Sequence, residues 1–219
     1  VPQLPREQGP FPAQHRRVMG RHLAALMAAV GLLEESLTEI EQLAAGERIR
    51  VVGETGLDYF RTEDDGIAAQ QESFRAHIEI AKRQGLALQI HDRNAHADVL
   101  RILDEEGAPD VTVFHCFSGD AEFARACAER GFFMSFAGNI TFKNAVDLRH
   151  AAAVVPPRLL LSETDAPFLT PHPHRGRPGG PYLTAVTLRK LAEVREEPLA
   201  EVCEQVSANA EAAFGSWGL

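Results

Sequence analysis

Short apolar runs alternate with longer amphipathic ones along most of this chain, and that alternation constrains the fold more than any other feature. Strands separated by helix-length crossovers build βα units and a parallel sheet. The runs that read as strands are ALMAAV (25–30), IRVVGE (49–54), LALQIH (86–91), VTVFHCF (111–117), FFMSFAG (132–138) and RLLLSETD (158–165). Helix-period segments fall at 36–45, 68–84, 97–106, 121–130 and 144–152, and two more close the chain at 183–194 and 199–214. Gly85 and Gly131 each follow a helical run, where a residue free to take positive φ ends the helix shortly before the next strand. The pattern fits either an open doubly wound sheet or a closed eight-stranded barrel.

At 219 residues the chain can bury a sizeable core, and a single domain over 1–219 is expected, with the four prolines in 1–12 marking a loop or linker. With 45% hydrophobic and 24% charged residues, fibrous and disordered classes are excluded. No apolar run reaches the roughly 20 residues of a membrane helix, so no membrane partner is expected. Cys116, Cys127 and Cys203 form neither a C-x-x-C pair nor an even set, which points to a reducing, cytoplasmic setting. A net charge of -9 argues against indiscriminate coating of nucleic acid. It leaves room for a nuclease, because bound cations reverse the field inside an acidic pocket.

Four polar residues tilt the choice toward the barrel. Glu54, His91, His115 and Asp165 each stand at or near the C-terminal end of a different predicted strand, the edge where barrel enzymes carry their chemistry. No G-x-G-x-x-G follows any strand, so the dinucleotide-binding sheet loses its main support. A single strand-end histidine is an ordinary packing residue. Four such positions holding only carboxylate and imidazole are costly to bury unless they pair or bind a metal. Their mixed oxygen and nitrogen donors suit Zn²⁺, Mn²⁺ or a similar divalent ion better than Ca²⁺.

The segments G-E-T-G-L-D-Y (53–59), I-H-D-R (90–93), H-C-F-S-G (115–119), F-A-G-N-I-T-F-K-N-A (136–145), E-T-D-A-P-F-L (163–169) and P-H-R-G (173–176) carry these residues in order. Together they resemble the successive motifs of the TatD family, metal-dependent deoxyribonucleases on a TIM-like barrel of the amidohydrolase group. The resemblance runs over about 49–214. It implies an α/β TIM-like (β/α)8 barrel, one or two divalent ions (Zn, Mn or Mg), and DNA or a related nucleic acid as substrate. It places Glu54 between two metals, His91 and His115 on the second, and Asp165 on the first, where it orients or deprotonates the attacking water. A shared carboxylate fits that role, since two cations about 3.5–4 Å apart repel strongly without an anion between them. Asp165 and Glu54 are thus the expected catalytic residues.

The chain departs from the family pattern at its start. The family opens with H-x-H on its first strand, and no such pair precedes Glu54; His15 and His22 are seven apart, and His172 and His174 follow the last strand in the substrate-side loop. The resemblance makes 49–54 the fourth barrel strand, so three βα units should precede it; a βαβ unit takes about 30 residues or more, and only 48 residues precede Ile49. The expectation is a barrel whose first strands are absent or lie outside this sequence. The family's N-E-P is also replaced by Gly179, Gly180 and Pro181.

Around the core four, Arg93, Lys143 and Arg175 fall on loops after strands and are expected to contact a phosphate backbone, with Arg177 ranked below them. Cys116 should point away from His115 and pack under a helix, because neighbours along a strand face opposite sides. Glu163 is either an acid supporting the ligands or a structural acceptor, and Asp58 organises its loop. His77, His96 and His150 are structural or surface residues. The expected activity is metal-dependent hydrolysis of phosphodiesters in DNA. Two alternatives remain: hydrolysis of an ester, lactone or amide on the same barrel, and a non-catalytic binding subunit if the first strand is absent.

Overall fold

Residues 33–62 and 64–216 are described by the structure, a computed structural model. The expected strand at 25–30, the loop at 1–12, and His15 and His22 lie outside the described residues. Helix α1 (Leu33–Ala44) leads into β1 (Val51–Asp58), α2 (Asp64–Gln84), β2 (Ala87–Arg93), α3 (His96–Glu106), β3 (Thr112–Phe114), α4 (Ala121–Glu129), β4 (Phe133–Phe136), α5 (Val146–Val154) and β5 (Leu160–Ser162). Helices α6 (Thr184–Arg195) and α7 (Leu199–Phe214) follow. All five strands are parallel, in the order β1-β2-β3-β4-β5. With a helix between each pair, this is the α/β architecture of a TIM-like barrel, and every strand presents its C-terminal end at the same edge.

Register explains where the core lies. Thr55, Ile90, Phe114, Met134 and Leu160 stand abreast across the five strands. Ile90, Phe114, Met134 and Leu160 belong to the main core with Phe74 and Ile78 of α2 and Ile102 of α3. The alternate positions Val113 and Leu161 turn to the other face, where they form a smaller cluster with Ala213 of α7. Asn209 ties that helix to the sheet, since its buried Nδ2 donates to the carbonyls of Pro157 and Leu160, both at 2.7 Å.

All five strands have boundaries that differ from expectation, most of all β1, β3 and β5, where the differences fall at the site. β1 runs on to Asp58 instead of stopping at Glu54, but its pairing with β2 shifts between Val52 and Thr55. The shift gives Glu54 a direction the regular pleat would not. Gly56, at φ +133°, lets β1 close on β2; a Cβ there would lie 2.0 Å from the His91 carbonyl oxygen. β3 ends at Phe114 and β5 at Ser162 because the following segments bend, with Cys116 (φ +44°) and Asp165 (φ +52°) in the left-handed region. Non-glycine residues held there are costly and gather at functional sites.

Candidate metal centre

His91 and His115 each stand one residue past the aligned pair Ile90 and Phe114, so the register sets them side by side. The His115 amide still donates to Ile90 O at 2.9 Å, which carries the β2–β3 ladder one step beyond β3. Both histidines are buried, and both meet Glu54: its Oε1 lies 3.1 Å from His91 Nδ1 and 3.5 Å from His115 Nε2. From β5's following turn, Asp165 brings Oδ1 to 3.7 Å from the same His115 Nε2. The structure therefore gathers all four expected residues in one cluster.

Each imidazole also has a carboxylate behind it. His91 Nε2 lies 3.3 Å from Asp58 Oδ2, and His115 Nδ1 lies 2.5 Å from Glu163 Oε2. Such a partner fixes the ring's tautomer and orientation and raises its basicity as a ligand. Asp58 is itself anchored, with Oδ1 accepting from the amides of Phe60 (3.1 Å) and Arg61 (3.2 Å) while its own amide donates to Gln70 Oε1 at 2.8 Å. Asp58 thus does organise its loop, as expected, and also reaches His91, which the residue order alone did not reveal. Glu163 has the contacts of both alternatives, since its Oε2 faces His115 while its Oε1 accepts from the Cys116 amide at 2.8 Å.

The electrostatics follow from this pairing. Burial alone would push the His115 imidazolium down, but Glu163, backed by Glu54 and Asp165, outweighs it and holds the ring above its ordinary value. Burial likewise opposes ionisation of Glu163, yet His115, the Cys116 N–H and Ser135 keep its carboxyl below the usual range. Burial pushes the Cys116 thiol up, and the three carboxylates push it the same way. The expectation that Cys116 packs away from His115 is corrected here. The strand has ended by Phe114, so strict alternation no longer applies, and His115, Cys116 and Glu163 offer donor atoms within 4.8 Å of one another.

A divalent cation fits these residues. His115 Nε2 is buried with no hydrogen bond among the described residues, while a Glu54 oxygen faces it at 3.5 Å and an Asp165 oxygen at 3.7 Å. A buried imidazole and converging carboxylates are the donor set that a borderline metal satisfies. At the rim, the Arg93 guanidinium lies 3.8 Å above the Phe60 ring and that of Arg175 lies 4.0 Å above Phe142, next to exposed Lys143. Arg177, His172 and His174 are exposed in the same loop as Arg175. His77 bonds the Ser73 carbonyl of its own helix, and His96 bonds Asp92 and stacks on Phe123, as structural residues do. All three cysteines are free thiols.

A parallel α/β barrel with imidazoles and carboxylates gathered at its C-terminal edge defines the class of TIM-like metal-dependent hydrolases. Comparison with known proteins gives the particular family. The family model described as TatD related DNase matches residues 9–215. The chain is 45% identical to a Mycobacterium tuberculosis protein named as an uncharacterized metal-dependent hydrolase, TatD, over 85% of this chain and 72% of that one. It is 41% identical to YabD of Bacillus subtilis, which carries the same description, over 85% and 73%. Among solved structures, YjjV, a TatD homolog from Escherichia coli, superposes with a TM-score of 0.79 at 30% identity, covering 84% of this chain and 71% of that one. The chain belongs to the TatD family.

Proposed function

We propose that this chain hydrolyses phosphodiester bonds in DNA or a related nucleic acid with the help of one or two divalent ions. Glu54, His91, His115 and Asp165 hold the metal, and the observation that carries the reading is the contact of one Glu54 oxygen with both histidines. When bound, the ions neutralise charge on the phosphodiester and acidify a water nearby. Asp165 Oδ1, 3.7 Å from His115 Nε2, takes the proton of the attacking water. Asp58 and Glu163 hold the two rings in place from behind. Arg93, Lys143 and Arg175 receive the phosphate backbone at the rim. The three free thiols suit work in a reducing compartment such as the cytoplasm.

Glu54→Ala and Asp165→Asn test the reading. Each is expected to abolish metal-dependent cleavage of an end-labelled oligonucleotide while the circular dichroism spectrum stays unchanged. Cleavage at the wild-type rate in either variant would remove the mechanism. A carboxylic ester assayed in parallel separates a phosphodiesterase from an esterase on the same barrel.

A further inference from the structure

The two rim arginines are built alike, although they belong to different parts of the chain. Arg93 ends β2 and lies over Phe60, which follows β1; Arg175 follows β5 and lies over Phe142, which follows β4. Each stack therefore joins the loops of two adjacent strands, one on each side of the strand that leads to His115. Among the described residues, neither guanidinium lies on a carboxylate. An arginine stacked on an aromatic face keeps its N–H edges open for phosphate oxygens, and its long side chain is held in place before the substrate arrives.

Both rings are in turn anchored. Asp58 Oδ1 accepts from the Phe60 amide while Oδ2 of the same carboxylate faces His91, so one side chain sets the histidine and the first stack together. Tyr59 N donates to Arg93 O at 2.9 Å and fixes the same pair of loops. On the other side, Arg149 Nη1 donates to the carbonyls of Ile140 (3.2 Å) and Phe142 (2.7 Å), and its Nη2 donates to that of Lys143 (3.3 Å). The His172 amide donates to Thr141 Oγ1 at 2.8 Å, which ties the Arg175 loop to the Phe142 loop.

We infer that Phe60 and Phe142 are positioning residues, holding Arg93 and Arg175 as a pre-set clamp that grips the substrate's phosphate backbone on both sides of the metal centre. The inference rests on the phosphodiester reading above. Its substance is that the rings act through the arginines and not by touching the substrate.

The test uses the full chain with Mn²⁺ and a single-stranded oligonucleotide, comparing Phe60→Leu, Phe142→Leu, the conservative Phe60→Tyr and Phe142→Tyr, and the double variant Phe60→Leu with Arg93→Ala. Each leucine variant is expected to raise KM about two- to fivefold with kcat nearly unchanged, the effect of losing one exposed cation–π contact. Tyrosine should restore the wild-type KM, and Phe60→Leu should add nothing once Arg93 is gone. A loss that persists in the Arg93→Ala background would overturn the inference, because the ring would then be contacting substrate directly. An unchanged KM in both leucine variants would overturn it as well. If the wild-type chain cleaves its ester control but no phosphodiester, the underlying reading fails and the clamp fails with it.

Discussion

At the scale of single residues, the centre depends on two carboxylates that stand behind the histidines. Asp58→Asn or Glu163→Gln should weaken binding of divalent metal about ten- to a hundredfold, the usual effect of removing a partner that orients a ligand. Calorimetric titration of Mn²⁺ into metal-stripped protein measures this, and unchanged affinity would show that these carboxylates do not support the ligands. The His115–Glu163 pair also sets a pH dependence. The raised imidazole stabilises the metal-free fold fully below its unfolded value of about 6.5, and that contribution is lost as pH rises through the raised folded value. The lowered carboxyl contributes above its unfolded value of about 4.3 and is lost as pH falls through the folded one. The pair is therefore most stabilising between about pH 4.3 and 6.5. In chelator, the thermal midpoint of the wild type should fall more steeply from pH 6 to 8 than that of Glu163→Gln; parallel curves would contradict the pairing.

At the scale of elements, β5 is short and is pinned from outside by α7. Asn209→Ala leaves the carbonyls of Pro157 and Leu160 buried without their donor, and should cost about 1–3 kcal/mol in urea unfolding. A change near zero would mean that β5 is held by its ladder with β4 alone. The five described strands and the helices between them were legible in the sequence, because runs such as LALQIH and VTVFHCF are apolar and helix-length amphipathic segments separate them. Their ends were less legible. Nothing in the order of residues marks the register shift that aims Glu54, since a bulge depends on how β1 meets β2. The early end of β3 was also hidden: VTVFHCF reads as one continuous apolar run, yet the left-handed turn at Cys116 swings the thiol to the His115 side. His91 and His115 stood out in the sequence because each follows an apolar run directly, and the structure sets both beside Glu54. Asp58's reach to His91 was missed because it spans two strands.

At the scale of the whole molecule, the proposed phosphodiesterase reading requires an acidic protein to attract an anionic polymer to one edge. The chain carries a net charge of -9, yet Arg93, Lys143 and Arg175 stand at or after the C-terminal ends of the strands, and two of them are held on aromatic rings. In that reading attraction at the rim and catalysis at the candidate metal centre come from different groups, so neutralising the rim should change KM and its salt dependence before it changes kcat. Arg175→Ala assayed between 50 and 200 mM salt is expected to show a shallower loss of affinity with salt than the wild type. The most direct test of the account is to strip the protein with a chelator, return Mn²⁺, and follow cleavage of a labelled oligonucleotide beside a carboxylic ester. The account predicts no cleavage in chelator and restored cleavage of the oligonucleotide with Mn²⁺. Oligonucleotide cleavage that proceeds equally in chelator, or restoration of ester hydrolysis alone, would contradict it.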